Sequence, residues 1–258
     1  MPASAASALA RAKERGHRLF ICTGRSAPEV YPRFFDLGFE GIVGGAGGYA
    51  AVGSTVLLDE RMPAEHVEAL TRMWEELGAF YVWQGPDQMG PSRGYLDFFV
   101  PRAGENPQDW VEYGESVTPF VVDIEGGSFT KVTAYVRPEN ASMERISAAL
   151  PDGYRAIIGS VGAAGYVPFE VLPTRLSKAV GIEAVCEHLG IPLSRSVAIG
   201  DSNNDVEAVA RAGVGISIGD GCEALVEVAD IVAPAVCDDG FAWALAAAGL
   251  IDEAPNPA

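Results

Sequence analysis

Short apolar runs alternate with helical stretches at both ends of this chain, which restricts it to a layered α/β fold. Residues 19–22, 196–199, 214–218 and 231–233 are apolar on successive positions rather than on every second one. A strand with that pattern is buried on both faces, as in a parallel sheet covered by helices on either side. Helices are expected at residues 4–15, 177–189, 205–212, 223–229 and 241–250. Their punctuation supports this: Ser177 at an N-cap position, Gly16, Gly190 and Gly213 as stops, and Pro192 just beyond one of them.

The middle of the chain has another style. A helix at 64–77 precedes strand-like runs at 80–83, 95–100 and 130–136, then a helix at 141–150 and a strand at 154–158. Aromatic residues are denser here: Trp74, Phe80, Tyr81, Trp83, Tyr95, Phe98 and Phe99. The outer segments share one style and the centre does not. The expected fold is therefore an α/β, Rossmann-like parallel-sheet core, residues 1–62 plus 168–258, with an inserted α+β domain at 63–167. The polar, proline-bearing tail at 252–258 is expected to fray.

Charge narrows the partners. The 258 residues carry 35 acids against 18 bases, a formal charge of −17. Phosphate backbones and anionic membranes need clustered Lys and Arg, so neither is an expected partner. A small phosphorylated molecule is still allowed, because a few local bases can outweigh distant acids. No run of 18 apolar residues occurs, and the first residues lack the basic-then-apolar order of a signal peptide. Cys22, Cys186, Cys222 and Cys237 form no CxxC pair, so a reduced, cytoplasmic protein with small buried thiols is expected.

Ligands of open parallel sheets bind beyond the carboxyl ends of the strands. After residues 19–22 comes Thr23-Gly24-Arg25-Ser26, with Pro28 suited to a first helical turn. Two readings are open there: an ordinary capped turn, or a turn whose free N–H groups take an anion. After residues 196–199 comes Gly200-Asp201-Ser202-Asn203-Asn204-Asp205. Capping accounts for one or two such residues, and an unbroken polar run exceeds that need. Its oxygens suit Mg²⁺. Lys178 lies in a first helical turn, against the macrodipole; it is either a solvated lysine or a cation directed at phosphate or crowded carboxylates. His17, His66 and His188 are scattered, so histidine catalysis is not expected. Gly44-Gly45-Ala46-Gly47-Gly48 matches no nucleotide-binding fingerprint and reads as a strand-end turn facing the same cleft.

Taken in order, Thr23-Gly24-Arg25, Ser177-Lys178 and Gly200-Asp201-Ser202-Asn203-Asn204-Asp205 resemble the haloacid dehalogenase-like hydrolase superfamily, in particular its Cof-like sugar-phosphate phosphatases. The likeness extends to the Phe169-Glu170-Val171-Leu172-Pro173 strand and to Asp238-Asp239-Gly240. It implies a large cap inserted after the third core strand and a Mg²⁺-dependent phosphatase acting on a small phosphorylated metabolite. It assigns Thr23, Lys178 and Asp201 catalytic roles, and Thr23, Gly24, Arg25, Lys178 and Asn204 phosphate contacts. Asp201 and Asp205 become the metal residues, with Asp205 and Asn204 orienting the groups around the ion. It also implies an Asp-x-Asp at the end of a first core strand, whose first Asp forms an aspartyl-phosphate. The 258 residues contain no Asp-x-Asp. The pattern places that strand just ahead of Pro2, so the expectation is a shortened N-terminus and an inactive chain. The rivals are a noncatalytic phosphometabolite-binding relative and a phosphomutase.

Overall fold

The computed structural model describes residues 1–99, 107–219 and 221–253. They form two compact units: Met1–Gly24, Pro32–Leu58 and Ser177–Ala258 make one, Arg25–Tyr31 and Asp59–Leu176 the other.

The first unit opens with helix α1 (Ala3–Glu14). Ala5, Ala8, Leu9 and Ala12 fall on one helical stripe and are buried. Strands β1 (Phe20–Cys22), β2 (Gly41–Gly44), β3 (Tyr49–Val52) and β4 (Thr55–Asp59) form one sheet in that order. β1 and β2 run parallel, Ile21 opposite Ile42, whereas β3 returns antiparallel to β2 with Val43 opposite Ala50. The parallel pair thus carries an antiparallel hairpin at its edge. Gly53, at φ +53, starts the turn between β3 and β4 and brings the chain straight back.

The second unit contains α2 (Ala64–Glu76), β5 (Phe80–Gln84), β6 (Met89–Pro91), α3 (Tyr95–Phe99), α4 (Pro107–Val117), β7 (Lys131–Val136), α5 (Met143–Ala148), β8 (Tyr154–Ile158) and β9 (Val167–Pro173). Its sheet is antiparallel, in the order β6-β5-β7-β9-β8. One face packs Tyr81, Trp83, Val132, Ala134, Phe169 and Val171 with Val67, Leu70 and Trp74 of α2. On the other face, Val82, Met89 and Tyr135 pack with Tyr95, Phe98, Phe99, Tyr113 and Val117. The middle aromatics are core, as their density suggests. The strand expected at 95–100 is instead helix α3, and Val100 lies outside the described residues. Tyr95, Phe98 and Phe99 are spaced i, i+3, i+4, so only a helix buries all three together.

The chain then completes the first unit with α6 (Lys178–Leu189), β10 (Val197–Gly200), α7 (Val206–Arg211), β11 (Val214–Ile218), α8 (Glu223–Val228), β12 (Ile231–Ala233) and α9 (Gly240–Ala247). β10, β11 and β12 are parallel neighbours, with Ile199, Ile216 and Ile231 in register. Ala242 and Leu245 of α9 close an apolar cluster with Ala8, Leu9, Ala12 and Leu19. Of the expected tail, residues 254–258 lie outside the described residues.

The parallel strands are divided between two sheets. Among the described residues β1 pairs only with β2, and β10 only with β11. Leu19, just before β1, and Ile199 of β10 nonetheless share an apolar cluster. Among the described residues, β1 and β10 therefore each have one edge without a strand partner.

Candidate active site

Four segments of the first unit converge: the ends of β1, β2 and β10 and the start of α6. Thr23 continues β1; its N–H donates to Val43 O (2.8 Å), and its carbonyl accepts from Ala46 N–H (3.3 Å). Gly45, Ala46 and Gly47 form a tight turn with φ of +57°, +57° and +96°. Ala46 pays for a left-handed conformation there, strain of the kind that collects at functional sites. Gly47 has no alternative residue: a methyl on it would lie 1.9 Å from Ser177 O. This turn presses against the first residues of α6, as its place after β2 suggests.

Lys178 is buried at the start of α6, its side chain 6% exposed. The ammonium donates to Asp205 Oδ1 (2.5 Å) and to Asn204 Oδ1 (2.8 Å). It is a directed cation, not a solvated surface lysine. Asp205 Oδ2 accepts from Asp201 N–H (3.2 Å), Ser202 N–H (3.2 Å) and Ser202 Oγ–H (3.0 Å). Both carboxylate oxygens of Asp205 are thus engaged, Oδ1 by Lys178 and Oδ2 by the turn. The Asp201 carboxylate is exposed at the tip of β10, and no hydrogen bond to it occurs among the described residues. Two acidic residues four apart have different tasks: Asp205 holds Lys178 and the turn, and Asp201 faces outward with its oxygens uncommitted.

Gly24 sits beside this group, a methyl on it falling 3.2 Å from Asn204 Nδ2. Thr23, Gly24, Lys178, Asp201, Asn204 and Asp205 are therefore gathered within one unit. Arg25 belongs to the second unit, where its guanidinium donates to Glu29 O (3.1 Å) and lies 5.7 Å from the Tyr31 ring centre. The helix expected after Pro28 is a single turn, Ala27–Glu29, whose N–H of Ser26 is taken by the Glu29 carboxylate.

Further residues join the site. Ser202 stands three before Asp205, the Ser-x-x-Asp spacing of a capping box, which the sequence displays. Ser177 occupies the N-cap position of α6 without capping it. Its hydroxyl is buried with no partner among the described residues. A helix start with an uncapped end, a spare hydroxyl and a lysine is a ready anion site. The four cysteines were expected as buried thiols, yet none is: Cys22 and Cys237 are exposed, and Cys186 and Cys222 are partly exposed. Burial among site residues still pushes the Cys22 thiol up to about 11, with Lys178 pulling it down and Asp205 pushing it up. None of the three histidines takes part; the His66 ring pairs with the Tyr154 hydroxyl (3.0 Å) in the second unit.

These residues stand at the strand ends of an α/β scaffold. The chain belongs to the haloacid dehalogenase-like hydrolases, whose family model matches residues 1–245. It is 25% identical over 251 residues to YkrA of Bacillus subtilis (strain 168), named as a candidate phosphatase, covering 97% of this chain and 92% of that protein. A stretch of 80 residues is 32% identical to the 5-amino-6-(5-phospho-D-ribitylamino)uracil phosphatase YitU of the same organism, 31% of this chain and 30% of that one. Among solved structures, a HAD subclass IIB sugar phosphatase superposes with a TM-score of 0.78 at 22% identity, over 97% of this chain and 93% of that one. A hypothetical protein of Geobacillus kaustophilus HTA426 gives 0.75 at 26% identity, with the same coverage. The fold is the Rossmann-like core with cap of that family. No helix among the described residues is long and apolar enough to cross a membrane.

Proposed function

We propose that the site binds the phosphoryl group of a small phosphorylated metabolite, such as a sugar phosphate, for Mg²⁺-dependent monoester hydrolysis. The observation that carries this reading is the buried Lys178, fixed by Asp205 and Asn204 beside an Asp201 whose carboxylate is uncommitted. Phosphoryl transfer spreads charge over equatorial oxygens, and a preoriented cation in a crowded site stabilises that charge without reorganising. Two of the three Lys178 N–H groups hold the turn, leaving the third for a ligand oxygen. Thr23, Gly24 and the Ser177 hydroxyl supply further contacts to phosphate. The segment 63–167 acts as the cap that selects the substrate, and the reduced state of the four free cysteines suits the cytoplasm.

The donor set suits Mg²⁺, which keeps waters and takes only one or two carboxylates from the protein. Asp201 would hold the ion, and Asp205 would position Asp201 through its backbone N–H rather than bind metal itself. When bound, the ion supplies Lewis-acid neutralisation of phosphoryl oxygens.

The absence of Asp-x-Asp from these residues favours a second reading for this chain, binding without turnover. A p-nitrophenyl phosphate assay with Mg²⁺ separates the readings. The expected result is no turnover by the 258 residues; EDTA-sensitive turnover would show that they hold their own nucleophile.

A further inference from the structure

The three-residue turn Ala27–Glu29 is fastened far more firmly than a turn of its size requires. Glu29 is 5% exposed. Its Oε2 accepts from Ser26 N–H (2.8 Å), Ser26 Oγ–H (2.8 Å) and Gln84 Nε2 (2.7 Å), and its Oε1 from Tyr113 Oη–H (3.1 Å). Gln84, in β5, is itself oriented by Thr133 of β7, whose hydroxyl donates to Gln84 Oε1 (2.8 Å). From α4, Ser116 Oγ donates to Pro28 O (3.0 Å). Burial and the neighbouring Glu29 push the Tyr113 phenol well up, so it stays a donor. The four hydrogen bonds to this buried carboxylate all come from neutral donors. Burying a charge in this way costs stability that an apolar residue would not, so its retention calls for another reason.

The position of the turn supplies one. It follows Gly24 and Arg25 directly, while Gly24 packs in the first unit and Arg25–Tyr31 in the second. The chain therefore changes units at the Gly24–Arg25 bond, within the loop that begins with Thr23. We infer that Glu29 is a positioning residue: by tying the turn to β5 and α4 of the second unit it fixes the Thr23-Gly24-Arg25 loop for phosphate. This rests on the phosphate-binding reading above. It adds that the geometry of the loop is set by a carboxylate that follows it in the chain.

Three variants test it. Glu29→Gln puts an amide N–H₂ among four donors and releases the turn. Tyr113→Phe removes one bond and spares the rest. Exchanging the pair, Glu29→Gln with Gln84→Glu, keeps the charge and one amide–carboxylate bond between the same positions. Two quantities are read: hydrogen exchange of the amides of residues 25–30, and calorimetric titration of inorganic phosphate with Mg²⁺ present. For Glu29→Gln, exchange there should speed up and phosphate affinity fall by about tenfold, the loss of a hydrogen bond to a charged group. Tyr113→Phe should fall between, and the exchanged pair should recover most of both. An intact Glu29→Gln protein with unchanged phosphate affinity, or with loop amides no faster than the original, overturns the inference. If the original protein binds no phosphate, the phosphatase reading fails; slowed or unaltered amides in Glu29→Gln would separately sink the anchor, and faster ones would uphold it.

Discussion

Lys178 Nζ lies 2.5 Å from Asp205 Oδ1, with both side chains at most one-tenth exposed. The pair joins the start of α6 to the turn after β10, two segments 27 residues apart in sequence. Removing one partner leaves the other as a buried, uncompensated charge. Lys178→Met and Asp205→Asn should each cost about 3–5 kcal/mol, and the double variant less than their sum. Urea denaturation measures this. Single losses below about 1 kcal/mol would mean that water solvates the pair.

Asp201 makes the opposite prediction. Its carboxylate is exposed and unbonded among the described residues, so Asp201→Asn should alter stability by no more than about 0.5 kcal/mol. It should abolish stabilisation by Mg²⁺, which at a hundredfold excess over Kd is worth about 2.7 kcal/mol to the unaltered protein. Thermal melts with and without the ion decide the matter. Retained stabilisation would move the metal site elsewhere.

Cys22 reports on the same charges. Burial among site residues pushes its thiol up to about 11, so alkylation should keep accelerating well above pH 9. Lys178 lowers this value and Asp205 raises it. Lys178→Met should therefore slow alkylation at pH 9, and Asp205→Asn should hasten it. Mass spectrometry of the Cys22 peptide against the exposed Cys237 gives the rates; equal rates in both variants would contradict the assigned surroundings.

Gly200 is needed for space. A methyl there would lie 2.3 Å from Asp205 Cβ. Gly200→Ala should displace the carboxylate from Lys178 and cost about 1–3 kcal/mol, as overpacking does. Gly162, with nothing within 4 Å, serves as the control and should tolerate alanine. Similar melting temperatures for the two variants would show that Asp205 can shift freely.

The apolar runs at 19–22 and 196–199 located the two strand ends that carry the site, because buried parallel strands are legible as unbroken hydrophobic patterns. The polar run Asp201 to Asp205 identified the turn. What the sequence hid depends on direction in space. The spacing of Asp201 and Asp205 does not say which carboxylate turns inward; the backbone N–H groups of Asp201 and Ser202 decide it. Ser177 reads as a cap, yet its hydroxyl does not reach the helix. Residues 95–100 are rich in β-favouring aromatics, and burial of Tyr95, Phe98 and Phe99 on one side overrode that propensity. Glu29 looks like an ordinary acid in a Pro-containing turn, since its donors come from β5 and α4, far away in the chain.

Titration of inorganic phosphate into the protein, with and without Mg²⁺, tests the central claim most directly. Binding that strengthens when Mg²⁺ is added is the result expected of a site formed by Lys178, Thr23 and Asp201. Absence of phosphate binding at every Mg²⁺ concentration would contradict it.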